Sequence, residues 1–353
     1  MRDLLGLTPE EMEQFVVSLG ERPYRARQLL SWMYRKGETD IDAMSDISRS
    51  FREALSSQAR ISVPTIDLIS TAKDGTVKFR LALSDERKVE SVLIFDPPRT
   101  TLCVSSQVGC SLGCRFCQTA TMGLVRNLTA GEILGQVLTA KRHLAETGGR
   151  ITNIVFMGMG EPLLNYAEVS RALDVICAQW GFGFSWRRVT LSTAGIPDMI
   201  KTLGADRLIN LAVSLNAADD DTRSLIMPVN RAHPLEALMA SLREYPLKKG
   251  RRITLEYVML GGVNDSVEDA RRLVRLIRGL KTKVNLIQFN PYPGAGFERP
   301  HDSVVEAFQQ VLIDAHVNAI VRKSAGGDVS AACGQLVTME SETGEGTTER
   351  GVK

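Results

Sequence analysis

The chain has 353 residues, 44% of them hydrophobic and 24% charged, which excludes global disorder and leaves room for one large domain with a small companion. No apolar run approaches the roughly 20 residues that span a bilayer, and the start, MRDLLGLTPEEMEQF, has acidic residues where a signal peptide has its apolar core, so the reading is cytoplasmic. A net charge of +2 announces no polyanion partner, and six cysteines in such a chain point to metal or redox chemistry over a disulfide framework.

The first element is a helix. Thr8 is its N-cap, Pro9 its first helical residue and Glu11 closes a capping box, with Met12, Phe15, Val16 and Leu19 along one face. A second helix starts near Tyr24, with Leu29, Leu30 and Met33 inward and Arg22, Arg25, Arg27, Arg35 and Lys36 forming a basic cluster. Residues 1–60 thus read as a small helical module with a basic face. Trp32 and Tyr34 are available either to its core or to stacked bases. From Thr76 the period becomes two, through Val77, Phe79, Leu81 and Leu83; a turn over Asp85–Lys88 and a run from Val89 to Phe95 complete a hairpin within an extension over 61–98.

Beyond Pro98, short apolar strands alternate with amphipathic helices: TLCVS, NIVFM, RVTLS, INLAVSL, ITLEYVM and VNLIQF. Thr129 and Glu132 cap the helix after the first strand. Six strand and helix pairs predict a partial parallel (β/α)6 TIM-like barrel over 99–336, an α/β fold with its chemistry at the C-terminal strand ends. Residues 337–353 are polar and read as a disordered tail. Further basic clusters, Lys248 to Arg252 and Arg271 to Lys283, read as solvated faces.

VGCSLGCRFC carries Cys110, Cys114 and Cys117 within eight residues. Soft thiolates suit zinc or iron and sulfide, and a closed zinc site needs a fourth ligand that is absent nearby in the sequence. Three thiolates on a cubane leave one iron open for a substrate or cofactor. Burial of three inert thiols is the bland alternative, and the spacing argues against it. Phe116 stands where it would shield such a cluster.

CSLGCRFC resembles the C-x3-C-x-aromatic-C signature of the radical SAM superfamily, and the barrel agrees with it. The resemblance implies a [4Fe-4S] cluster on Cys110, Cys114 and Cys117, with S-adenosyl-L-methionine on the open iron. GMGEP, with Gly160 and Glu161, is similar to the superfamily's second motif; a dinucleotide GxGxxG is spoiled by Leu163. By the same resemblance Ser192, Ser214, Leu215, Asn216 and Asn290, at later strand ends, would hold the cofactor.

RTTLCVSSQVGC, RNLTAGEI, NIVFMGMGEPLLN, RRVTLSTAG, FNPYPGA, IVRK and AACGQL carry the resemblance further, to the RlmN/Cfr family of RNA adenine methyltransferases, over nearly the whole chain. C2 of adenine lies between two ring nitrogens and is too electron-poor to attack a methyl sulfonium, whereas a carbon radical can add to it. The family's route implies that Cys333 is methylated by displacement, that a 5′-deoxyadenosyl radical from a second cofactor molecule takes hydrogen from this S-methyl group, and that the methylene radical adds to the base. Glu90 would accept the C2 proton. Cys103 would attack the sulfur of Cys333, leaving a disulfide for a thiol reductant to open. Cys177 reads as a buried thiol, and Glu90, without the resemblance, as an ordinary strand residue.

The implied substrates are an adenosine of 23S ribosomal RNA at the peptidyl-transferase centre and the adenosine 3′ of the tRNA anticodon, each swung out of its fold into the barrel mouth. The expected partners are these RNAs and a cellular electron donor such as flavodoxin, with no membrane and a monomeric protein. The rival reading is methylation of C8 of the same ribosomal adenine, against which Pro162 in GEPLLN argues. A reading from another class is a non-catalytic iron-sulfur RNA-binding protein.

Overall fold

The computed structural model describes residues 1–338; most of the tail read as disordered lies outside the described residues. Ten strands form one open sheet. Seven run parallel, in the order Arg99–Cys103, Asn153–Phe156, Val189–Thr193, Asn210–Ser214, Ile253–Met259, Thr282–Gln288 and Ala319–Arg322. Three antiparallel strands continue it beyond Arg99–Cys103: Lys88–Asp96, Val77–Ala82 and Thr65–Thr71. The sheet therefore has two edges and is a partial barrel.

Two strands go beyond the expected pattern. Thr65–Thr71 makes the hairpin a three-stranded unit; it is an outer strand with nearly every residue exposed, so no alternation marks it. Ala319–Arg322 is a seventh parallel strand, only four residues long and half exposed, too short to register as an apolar run. The central strands, in contrast, are buried on both faces and read as continuous apolar stretches.

Capping fixes the helix starts. Both side chain to backbone bonds of a capping box are present at Thr8 and Glu11 and at Thr129 and Glu132, and a third box pairs Ser266 with Asp269. Helices Ala130–Ala145, Tyr166–Cys177, Pro197–Asp206, Leu235–Glu244, Val267–Leu276 and Asp302–Asp314 alternate with the strands and bury their apolar faces, with one continuous core running from the sheet into the N-terminal module.

In that module Pro9–Ser18, Tyr24–Leu30, a π-helical turn over Ser31–Lys36 and Arg49–Gln58 surround Leu29, Leu30, Met33 and Phe51. Tyr34 is fully buried, packed on Phe182 and edge-on to Trp180, and its hydroxyl accepts the Gly6 N–H. It belongs to the core. The exposed aromatic is Tyr24, with the Arg25 guanidinium 5.1 Å from its ring centre, while Trp32 is half-buried beneath Lys36. Arg171 pairs with Glu11, and the Lys141 ammonium donates to the Tyr34 and Arg35 carbonyls, fixing the module to the barrel helices.

Candidate active site at the C-terminal strand ends

A short hairpin, Gln107–Gly109 paired with Leu124–Asn127, encloses the cysteine loop. Gly109 has φ +76°, and a Cβ there would collide with the Gly123 carbonyl, so only glycine allows the strands to close. That carbonyl accepts the Cys110 N–H at 2.8 Å, and the Arg115 N–H reaches the Ile226 carbonyl at 2.9 Å. Phe116, Leu112 and Cys114 pack on a small apolar cluster of Ala194, Ala217, Ile226, Met227, Leu260 and Phe289.

The three cysteines line a cavity with about 1070 Å³ of empty space, its open mouth included. Burial pushes the Cys110 thiol up to about 11 and raises those of Cys114 and Cys117. A bound cationic metal centre reverses that penalty by favouring thiolates. Soft sulfur donors on one cavity wall suit the iron of an iron-sulfur cluster.

The GMGEP loop packs against the segment after the first barrel strand. A Cβ on Gly160, at φ +96°, would lie 2.5 Å from the Gln107 Cβ, and one on Gly158 2.6 Å from the Ser105 Oγ. The Glu161 N–H donates to the Gln107 side chain at 2.8 Å. The Glu161 carboxylate accepts the N–H groups of Leu163 and Ala194, and burial pushes it up to about 7. Glu161 thus joins the second strand end to the third.

Of the residues singled out in the sequence, Cys110, Cys114, Cys117, Gly160, Glu161, Ser192, Ser214 and Cys333 meet on this cavity wall. Leu215, Asn216, Asn290, Glu90 and Cys103 are not on it. Asn216, with φ +58°, is wholly buried, its side chain accepting the Val258 N–H and facing the Met227 sulfur. Asn290 sits beside the cavity, its amide donating to the Cys333 carbonyl at 3.4 Å. Cys103, at the end of the first strand, is buried, and burial followed by the proximity of Cys333 raises its thiol. Cys333 is exposed at the residue level and lines the cavity, and desolvation of its sulfur there raises its thiol too. Glu90 is 3% exposed and lies behind the chain at Leu336 and Val337, the latter donating its N–H to the carboxylate at 3.0 Å.

Three further residues of the site were not singled out in the sequence, although one of them, Arg322, lies in IVRK. Arg223, wholly buried, donates to the carbonyls of Ala194, Ser214 and Leu215 and to Asn230, tying together the third and fourth strand ends; burial lowers it to about 10. Arg322 ends the seventh strand at the cavity, where its charge opposes the burial of Cys103, Cys333 and Glu256. Glu256, in the fifth parallel strand, accepts from Asn285 at 2.9 Å with one carboxylate oxygen, while the other is buried without a partner among the described residues.

Residues 2–61 match the ribosomal RNA large subunit methyltransferase N-terminal domain, and residues 104–274 match the radical SAM superfamily. The chain is 48% identical over 353 residues to the dual-specificity RNA methyltransferase RlmN of Anaeromyxobacter sp. (strain Fw109-5), covering 99% of this chain and 93% of the relative. It is 49% identical over 330 residues to that of Syntrophobacter fumaroxidans, covering 94% and 96%. A crystal structure of a radical SAM methyltransferase from Sphaerobacter thermophilus matches with a TM-score of 0.92 at 44% identity, over 95% of this chain and 99% of that one. Near-complete coverage at such identity, with the cysteine loop and GMGEP on one cavity, makes this chain a member of the RlmN family of radical SAM RNA methyltransferases, whose cofactors are a [4Fe-4S] cluster and S-adenosylmethionine.

Proposed function

We propose that this protein methylates C2 of adenine in 23S ribosomal RNA, at the peptidyl-transferase centre, and in transfer RNA, 3′ of the anticodon, with Cys333 as the methyl carrier. One observation carries the reading: Cys333 shares a single cavity with Cys110, Cys114 and Cys117 and with Gly160 and Glu161. The bound cluster and S-adenosylmethionine supply a methyl cation equivalent for a thiolate and, after reductive cleavage, a 5′-deoxyadenosyl radical.

The chain's own residues do the rest. Cys110, Cys114 and Cys117 ligate the cluster, and Gly160, Glu161, Ser192, Ser214, Leu215, Asn216 and Asn290 form the cofactor-holding set, some through backbone groups. The thiolate of Cys333 accepts a methyl group, which gives up one hydrogen atom to the 5′-deoxyadenosyl radical, and the resulting carbon radical adds to C2 of the base. The adduct loses one electron, for which the oxidised cluster would be the acceptor, and the Glu90 carboxylate takes the proton that leaves C2. The thiolate of Cys103 then attacks the Cys333 sulfur; the carbon to sulfur bond breaks with its electron pair on carbon, that carbon takes up a proton to become the methyl group, and a Cys103 to Cys333 disulfide remains for a thiol reductant. Arg322, at the cavity beside both thiols, favours their ionised forms.

The exposed Arg22, Arg27, Arg35 and Lys36, with Tyr24 among them, suit residues 1–60 to gripping structured RNA by backbone and stacking contacts. Residues 61–98 serve as an extension of the barrel domain, 99–336. Among the described residues no helix is long and apolar enough to cross a membrane. The reading includes a cytoplasmic, monomeric protein reduced by a donor such as flavodoxin.

The test is anaerobic incubation of the reconstituted protein with reductant, S-adenosylmethionine and tRNA, followed by mass spectrometry of nuclease digests. Production of 5′-deoxyadenosine and 2-methyladenosine is expected. Appearance of 8-methyladenosine would overturn the regiochemistry, and absence of both products would overturn catalysis.

A further inference from the structure

Glu90 is more firmly held than a lone proton acceptor needs to be. The Lys78 ammonium lies 3.0 Å from one of its carboxylate oxygens, with both side chains almost wholly buried, and the Val337 N–H occupies the other. The same ammonium donates to the Ser330 carbonyl at 3.3 Å. Ser330 and Val337 flank Cys333, three residues before and four after it. The carboxylate and the thiol-bearing segment are thus joined through one lysine on an antiparallel strand.

We infer that Lys78 is a positioning residue of the reaction, holding Glu90 ionised and aimed while tying it through Ser330 and Val337 to the segment that carries Cys333. This rests on the reading of Glu90 as proton acceptor and Cys333 as methyl carrier. The other groups facing Glu90 do not substitute for Lys78. Arg80, directly across the strand pair, is turned to Asp67 of the outer strand, which also takes Lys88. On the remaining sides Ser105 donates to the Glu90 carbonyl and the Met159 sulfur accepts its N–H. Burial drives the Glu90 carboxyl up, and Lys78 is the largest opposing influence.

Without Lys78 the carboxyl keeps its proton to higher pH, so a step that needs the carboxylate is lost from the acid side upward. The Cys333 segment keeps its other ties, from Asp74 to Gly326, Gln118 to Gly334, Thr119 to Leu336 and Gln335 to Pro291. Methylation of Cys333, which does not use Glu90, should therefore survive.

The test uses cluster-loaded, full-length protein already carrying S-methyl-Cys333 and follows single-turnover methylation of tRNA against pH in Lys78→Met, Lys78→Gln, Lys78→Arg and Glu90→Gln, with intact mass reporting methyl loading. Lys78→Met and Lys78→Gln should load normally, react on the order of tenfold slower at neutral pH and show an acid limb moved upward by about one pH unit. Lys78→Arg should stay near the parent. If both neutral variants keep the parent's rate and acid limb while Glu90→Gln is slow, the assignment of Lys78 is overturned and that of Glu90 stands. Equal loss of loading and transfer in the neutral variants would reduce Lys78 to a structural role and overturn it too. If Glu90→Gln is itself as fast as the parent, the reading of Glu90 fails and takes this one with it.

Discussion

The parallel and antiparallel flanks share one sheet but deliver side chains to the reaction in different ways. On the parallel flank Gly160 and Glu161 lie in the loop just past a strand, and Ser192, Ser214 and Arg322 are among the last residues of theirs, so all five sit at C-terminal strand ends. On the antiparallel flank Lys78 and Glu90 lie within paired strands and take their direction from alternation and pairing, with the chain around Cys333 holding their tips. A site built at strand ends is changed by editing loops. One built inside a strand can change only together with the sheet.

Substitutions on the two flanks should differ accordingly. The largest effect is expected for Cys333→Ala, which should fold and bind a cluster but yield no methylated adenosine by mass spectrometry. Arg223→Met should come next, because carbonyls of two strand ends lose a buried charged donor; a loss of about 3 kcal/mol or more in chemical denaturation is expected. Gly160→Ala should cost about 1–3 kcal/mol, with weaker S-adenosylmethionine binding in a titration, since its methyl would press on Gln107. The smallest effect belongs to the outermost antiparallel strand, where Leu68→Thr, at an exposed position, should change stability by no more than about 0.5 kcal/mol. A larger loss there would mean that the outer strand supports Lys78 and Glu90 more than its exposure indicates.

The same contrast explains what was legible in the sequence. The cysteine run, GMGEP and the capping boxes at Thr8 and Thr129 are local: their chemistry requires fixed spacings, and the structure keeps them. The box at Ser266 and Asp269 has equally local spacing and was readable by the same rule. Glu90 was ambiguous because period-two alternation gives two faces without saying which is covered, and the covering chain comes more than 240 residues later, at Val337. Arg223 went unread because nothing local reveals that three carbonyls from two strand ends converge on it. Tyr34 stood between core and base stacking for a similar reason: Phe182 and Trp180, which cover it, are far away in sequence.

The stretch from Gly326 to Val337 is fastened to Asp74, Lys78, Glu90, Gln118, Thr119 and Pro291, all of which precede it in the chain. On a ribosome, those anchors emerge and pack before the residues that complete the reactive chamber have been made. Contacts of such long sequence separation form late and slowly, so an interrupted translation product would have the scaffold without Cys333, and on the proposed mechanism could not alkylate RNA.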